Sequence, residues 1–128
     1  MQDLINPQSQ LQFGVIKMLN ANLAEVFINK GIAVDLDMMI ECEDVLDKLM
    51  PGPYGLLLNE KETHTFTPEA ESYFSEMKDM HAMAVVVYTK FTDIANKYLK
   101  SFHEDVNWNL KVFYDREKAL EWLESESI

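Results

Sequence analysis

Hydrophobic and polar positions along this chain change period several times, and each change marks an element. From Gln12 to Leu19 and again from Leu23 to Ile28 the residues are β-prone and roughly alternating, with Asn20-Ala21-Asn22 between them, which predicts a β-hairpin. A second turn signal, Asn29-Lys30-Gly31, precedes Asp35. That residue is suited to cap a helix whose apolar positions Met38, Met39, Cys42, Val45, Leu46 and Leu49 recur every three or four residues. Pro51-Gly52-Pro53 stops this helix. Tyr54 to Leu58 is short and almost wholly apolar, as expected of a central strand covered on both faces.

A polar stretch from Asn59 to Thr65 leads to Thr67-Pro68-Glu69, where Thr67 suits the N-cap and Pro68 the first helical position. The spacing of Ala70, Tyr73, Phe74, Met77 and Met80 predicts a helix to about His81. Ala82 to Thr89 is the strongest strand, because its three consecutive valines favour extended backbone. Phe91, Ile94, Ala95, Tyr98, Leu99 and Phe102 mark a third helical stripe, and Trp108 to Tyr114 a further strand. Asp115 then caps a last helix, Arg116 to about Glu124, with Ala119, Leu120, Trp122 and Leu123 on its buried side.

The predicted order is β-β-α-β-α-β-α-β-α. Strands separated by helices need crossovers, so the later strands are expected to be parallel and the opening hairpin antiparallel. This is an α/β fold with a mixed five-stranded sheet and helices packed against it. A length of 128 residues with 48% hydrophobic content fits one domain. Residues 1–10 are expected to be a flexible lead-in, 11–124 the domain and 125–128 a tail.

Charge narrows the partners. With 22 acidic against 11 basic residues the formal net charge is −11, a field that repels phosphate backbones and anionic headgroups. Nucleic acid is therefore not an expected partner. The opening residues show no basic segment followed by an apolar one, and the longest apolar run, Ala82 to Tyr88, is too short to span a bilayer. A lone cysteine, Cys42, forms no internal disulfide. Together these predict a cytoplasmic protein without membrane insertion.

Candidate chemistry is sparse. His64, His81 and His103 fall in different segments with no metal-ligand spacing, and neither a Gly-rich phosphate loop nor a nucleophile elbow is present, so no catalytic residue, metal or cofactor is expected. Asp35, Asp37, Glu41, Glu43, Asp44 and Asp47 alternate with the apolar stripe of the first helix as a solvated face does. Cys42 lies on that stripe as a core residue, and most of the eight methionines fall on helix stripes as gap fillers. His64 stands apart, since it follows a central strand's carboxyl end, where open α/β sheets commonly place ligands.

The hairpin, the Thr-Pro-Glu-Ala helix start, the strand AMAVVVYT and the closing KVFYDREKALEWL together resemble the STAS-like (SpoIIAA-like) domains over roughly residues 11 to 124. Within that fold the chain looks most like stand-alone STAS/Sec14-type bacterial proteins of uncharacterised function, which similarly end in a strand, an acidic cap and an Ala-x-x-Trp-Leu helix. The resemblance implies a non-catalytic regulatory or protein-interaction module. Its antagonist members carry a phosphorylated serine after a central strand, but the matching place here reads Leu58-Asn59-Glu60-Lys61 and holds none.

The candidate interaction or switch loop is Asn59, Glu60, Thr63, His64, Thr65 and Thr67, meeting a protein partner or a second copy in a homodimer. An apolar face of Phe91, Ile94, Tyr98, Phe102 and Trp108 suits either a homodimer contact or the lining of an apolar cavity, and the second gives the alternative function, a Sec14-like carrier of a small apolar ligand or lipid.

Overall fold

The computed structural model describes residues 8–62, 64–88 and 109–126. Its strands are β1 (Gln8–Gln10), β2 (Gly14–Asn20), β3 (Leu23–Ile28), β4 (Ala33–Val34), β5 (Tyr54–Glu60), β6 (Thr65–Phe66), β7 (Met80–Val87) and β8 (Leu110–Phe113). Its helices are α1 (Leu36–Leu49), α2 (Pro68–Tyr73), extended by a 3-10 turn over Phe74–Glu76, and α3 (Arg116–Ser125). The main sheet has the order β1-β2-β3-β5-β7-β8, while β4 and β6 pair as a separate two-stranded sheet. β1, β2 and β3 are antiparallel, and β3, β5, β7 and β8 run parallel.

The five predicted strands are all present, with the expected directions. A sixth is added at one edge, because Gln8–Gln10, in the stretch expected as lead-in, pairs with Val15–Lys17. The helix predicted over Phe91–Phe102 lies outside the described residues. The helix after Thr67 is shorter than expected: its 3-10 turn ends at Glu76, and Met80 and His81 open strand β7. Met77 and Met80 fit helical spacing, but pairing of Tyr54 with Met80 draws the second of them into the sheet.

Local signals account for the helix boundaries. Asp35 Oδ1 accepts from the Met38 amide at 2.9 Å, and Asp115 Oδ1 from the Glu117 amide at 2.8 Å, each satisfying a donor that its first turn leaves open. Beyond α1, Gly52 takes a φ of +98°, a value that only glycine adopts without strain, and so turns the chain toward β5.

Strand pleating divides the core in two. Leu56, Leu58, Met83, Val85 and Val87 pack with α1 and α2 through Met39, Cys42, Leu46, Ala70 and Phe74. Leu57, Ala82, Ala84 and Val86 face α3 through Ala119 and Leu123. β5 and the later part of β7 are buried on both sides, which is why their sequences run apolar without alternation. Cys42 is a core residue, and burial pushes its thiol up to about 12, far from the thiolate a nucleophile needs.

Tyr54 sits fully inside the first core, and its hydroxyl has no hydrogen-bond partner among the described residues. Burial, with Asp47 and Glu43 nearby, holds the phenol well above its ordinary value. Replacing Tyr54 with Phe removes an unpaired polar atom at almost constant shape, so the unfolding free energy is expected to stay level or rise by up to about 1 kcal/mol. Urea denaturation checks this, and a clear loss of stability would show that the hydroxyl is paired.

Candidate functional site

β5 continues two residues past its apolar stretch. Asn59 and Glu60 therefore belong to the buried end of a central strand and not to the loop in which the sequence pattern placed them. The pleat sends them to opposite faces, and each meets a different polar partner.

On the α3 face, Asn59 Nδ2 donates to Glu25 Oε2 at 2.8 Å. Arg116, the first residue of α3, grips the same carboxylate with both ends of its fork, Nε to Oε2 at 2.9 Å and Nη2 to Oε1 at 2.6 Å. Glu25 is only 2% exposed. Burial alone raises its pKa, but the hydrogen bonds from Arg116 and Asn59, with the guanidinium charge, outweigh it and hold the carboxyl below its usual range. The Glu25 hydrogen bond in turn raises Arg116. Asn59 Oδ1 remains buried without a hydrogen bond among the described residues.

On the opposite face, Glu60 Oε2 lies 3.1 Å from Nε2 of His64, both side chains being almost wholly buried. The contact is off the line of a good hydrogen bond, so the attraction is mainly that of an ion pair. His64 Nδ1 is 2.9 Å from the Glu62 carbonyl oxygen. The imidazole stands edge-on to Phe66 at 5.2 Å between centroids, and Phe66 to Phe74 at 5.4 Å. Burial lowers the His64 pKa, but the carboxylate of Glu60 beside the ring, helped by the Glu62 carbonyl, reverses that and leaves it above the ordinary imidazole value.

The remaining loop candidates separate. Thr67 Oγ1 accepts from the Ala70 amide at 3.2 Å and is the cap of α2. Thr65 is exposed on β6, with its amide donating to the Ile32 carbonyl at 3.0 Å. Thr63 lies outside the described residues, as does the whole candidate apolar face of Phe91, Ile94, Tyr98, Phe102 and Trp108. Beside the end of β5 an open groove is lined by Val15, Lys17, Phe27, Asn59, Lys61 and Glu62, with Lys17 Nζ 5.2 Å from the Phe27 ring centre. Between the sheet and α1, an apolar cavity of about 20 Å³ bordered by Phe13, Met39, Phe66 and Phe74 has room for roughly one water.

The sequence pattern did not single out Glu25 or Arg116. The available signal was a lone acid in the otherwise apolar strand LAEVFI, which needs a cation once both faces are buried. Asp37, Glu41, Asp44 and Asp47 form the exposed face of α1, whereas Glu43 is half-buried and accepts from the Tyr73 hydroxyl of α2; no cluster of metal-ligating side chains occurs among the described residues.

The model of one family, "Domain of unknown function (DUF7793)", matches residues 19–127. The chain belongs to that family. No curated protein matches the DUF7793 chain. Among solved structures it is similar to an uncharacterized protein of the DUF3478 family with a SpoIIAA-like fold, from Shewanella loihica PV-4. The identity is 14%, the TM-score is 0.52, and 92% of this chain and 91% of that chain are covered. The domain therefore has a SpoIIAA-like fold, as the resemblance of its sequence implies. No helix among the described residues is long and apolar enough to cross a membrane.

Proposed function

We propose that this DUF7793 domain is a non-catalytic interaction module that engages a protein partner at the carboxyl end of β5. The observation carrying this is that the strongest polar groups there are consumed internally. Glu25 is held by Arg116 and Asn59, Glu60 by His64, and the Thr67 hydroxyl by its own helix. A general base or nucleophile needs a free group facing substrate, and these are tied up. What remains toward solvent is a recognition surface, with Lys17, Lys61 and Glu62 around the half-buried Phe27. The absence of a serine at Leu58-Asn59-Glu60-Lys61 sets the module apart from phosphorylated antagonists.

The carrier alternative gains nothing from the core described, since a cavity of about 20 Å³ holds no lipid chain. A photo-crosslinking amino acid placed at Lys61 in the native cell is expected to give a discrete heavier adduct, and one at Asp37 on the outer face of α1 none. Absence of an adduct at position 61, or the same adduct at both positions, would overturn the proposal.

A further inference from the structure

The contacts of His64 prescribe its protons. Nδ1 faces the Glu62 carbonyl oxygen, which only accepts, so Nδ1 carries hydrogen. Nε2 lies 3.1 Å from a carboxylate oxygen, and at that distance the carboxylate repels the nitrogen lone pair unless the pair holds a second proton. The pair is thus stable only with that proton present, as imidazolium and carboxylate or as their neutral forms. Water cannot substitute, because the side chains of His64 and Glu60 are 0% and 4% exposed.

Among the described residues, the groups packed around the imidazole do not replace the missing charge. β6 and the 3-10 turn present Phe66 and Phe74, β4 offers the carbonyls of Ile32 and Val34 to the β6 backbone, and the cation of the connecting turn, Lys61, is exposed. α2 carries the buried Glu71, whose carboxyl burial shifts toward its neutral form. Among the described residues, Glu60 is the charged group that acts on the ring.

We propose that Glu60 and His64 form a proton-operated latch that fastens β6, and with it Phe66 over the apolar cavity, to the end of β5. With the proton bound, the Thr65 and Thr67 amides are held on the Ile32 and Val34 carbonyls at 3.0 and 2.9 Å. With it lost, a buried carboxylate faces a lone pair and the short β4–β6 pairing is released. The latched form binds the proton more tightly than the released form, so latching is complete below the released imidazole's value of about 6.5 and weakens as pH rises through the higher latched value. This device is independent of any partner and is read in the isolated protein.

Hydrogen exchange followed by NMR, corrected for the chemical exchange rate at each pH, tests it. Protection of the Thr65 and Thr67 amides is expected to fall by up to tenfold per pH unit above about 6.5, while Val85 in β7 stays level. In Glu60→Gln, whose amide donates to a neutral imidazole, the fall is expected to vanish. Flat protection from pH 6 to 9 in the parent protein, or the same fall in Glu60→Gln, would overturn the latch. Should that variant not fold, titration of the His64 ring in the parent protein decides, since a midpoint at or below 6.5 is incompatible with the latch and one above it is required.

Discussion

Replacing Arg116 with methionine is expected to lower the unfolding free energy by about 2–3 kcal/mol at neutral pH. Removing one partner of a buried pair costs about 3–5 kcal/mol because a charge is stranded. The lower figure applies here because the Arg116 side chain is 38% exposed and water already screens part of the interaction. Glu25, at 2% exposure, is the group left behind.

The sign of the pH dependence identifies the cause. In the parent protein the Glu25 carboxyl is depressed, so its contribution is present at neutral pH and lost as pH falls through the folded-state value. Without Arg116, burial dominates and raises that carboxyl, so the deficit of the variant should shrink toward acid pH. Adding Glu25→Leu to Arg116→Met should recover most of the loss. Urea denaturation of the single and double variants between pH 4 and 8 measures all of this, and a deficit that does not change with pH would mean that lost packing is responsible.

Gly14→Ala is the second large effect. A Cβ at this first residue of β2 would lie 2.0 Å from the Phe27 carbonyl oxygen and 3.2 Å from Ile28 Cα, both backbone atoms of the paired strand. No rotamer change relieves such a contact, so β2 and β3 must separate where the hairpin ends. The expected cost is about 3 kcal/mol or more, in the range reserved for backbone incompatibility. It should appear as a lowered urea midpoint with faster amide exchange at Gly14↔Ile28 and Val15↔Phe27, where the strands now pair. Gly55 provides the control, because a Cβ there meets the Leu23 and Leu123 side-chain ends at 3.4–3.5 Å and the nearest backbone atom, the Ala82 carbonyl oxygen, at an ordinary 3.9 Å.

These two positions show what was legible in the sequence. Features that act within a few residues were: the caps at Asp35, Thr67 and Asp115, the stop at Pro51-Gly52-Pro53, and the doubly buried strand around three valines all stand where the pattern puts them. Features that depend on distant partners were not. Asn59 and Glu60 look like loop residues because they are polar, yet Asn59 is accommodated in a buried strand by Glu25, 34 positions earlier, and Glu25 by Arg116, 91 positions later. The end of α2 is hidden from the pattern for a similar reason, since Met80 fits a helical stripe and only its pairing with Tyr54 shows it to be strand. The candidate loop begins at the end of β5, and its described members divide into a strand end, a buried ion pair, an exposed Thr65 and a helix cap.

In space the strands of the main sheet follow one another as they do along the chain: β1, β2, β3, β5, β7, β8. Nothing has to be threaded between two strands that already pair. Each strand leaving the ribosome finds its docking edge complete, and assembly can proceed by accretion from the first hairpin outward, without an earlier contact having to be undone.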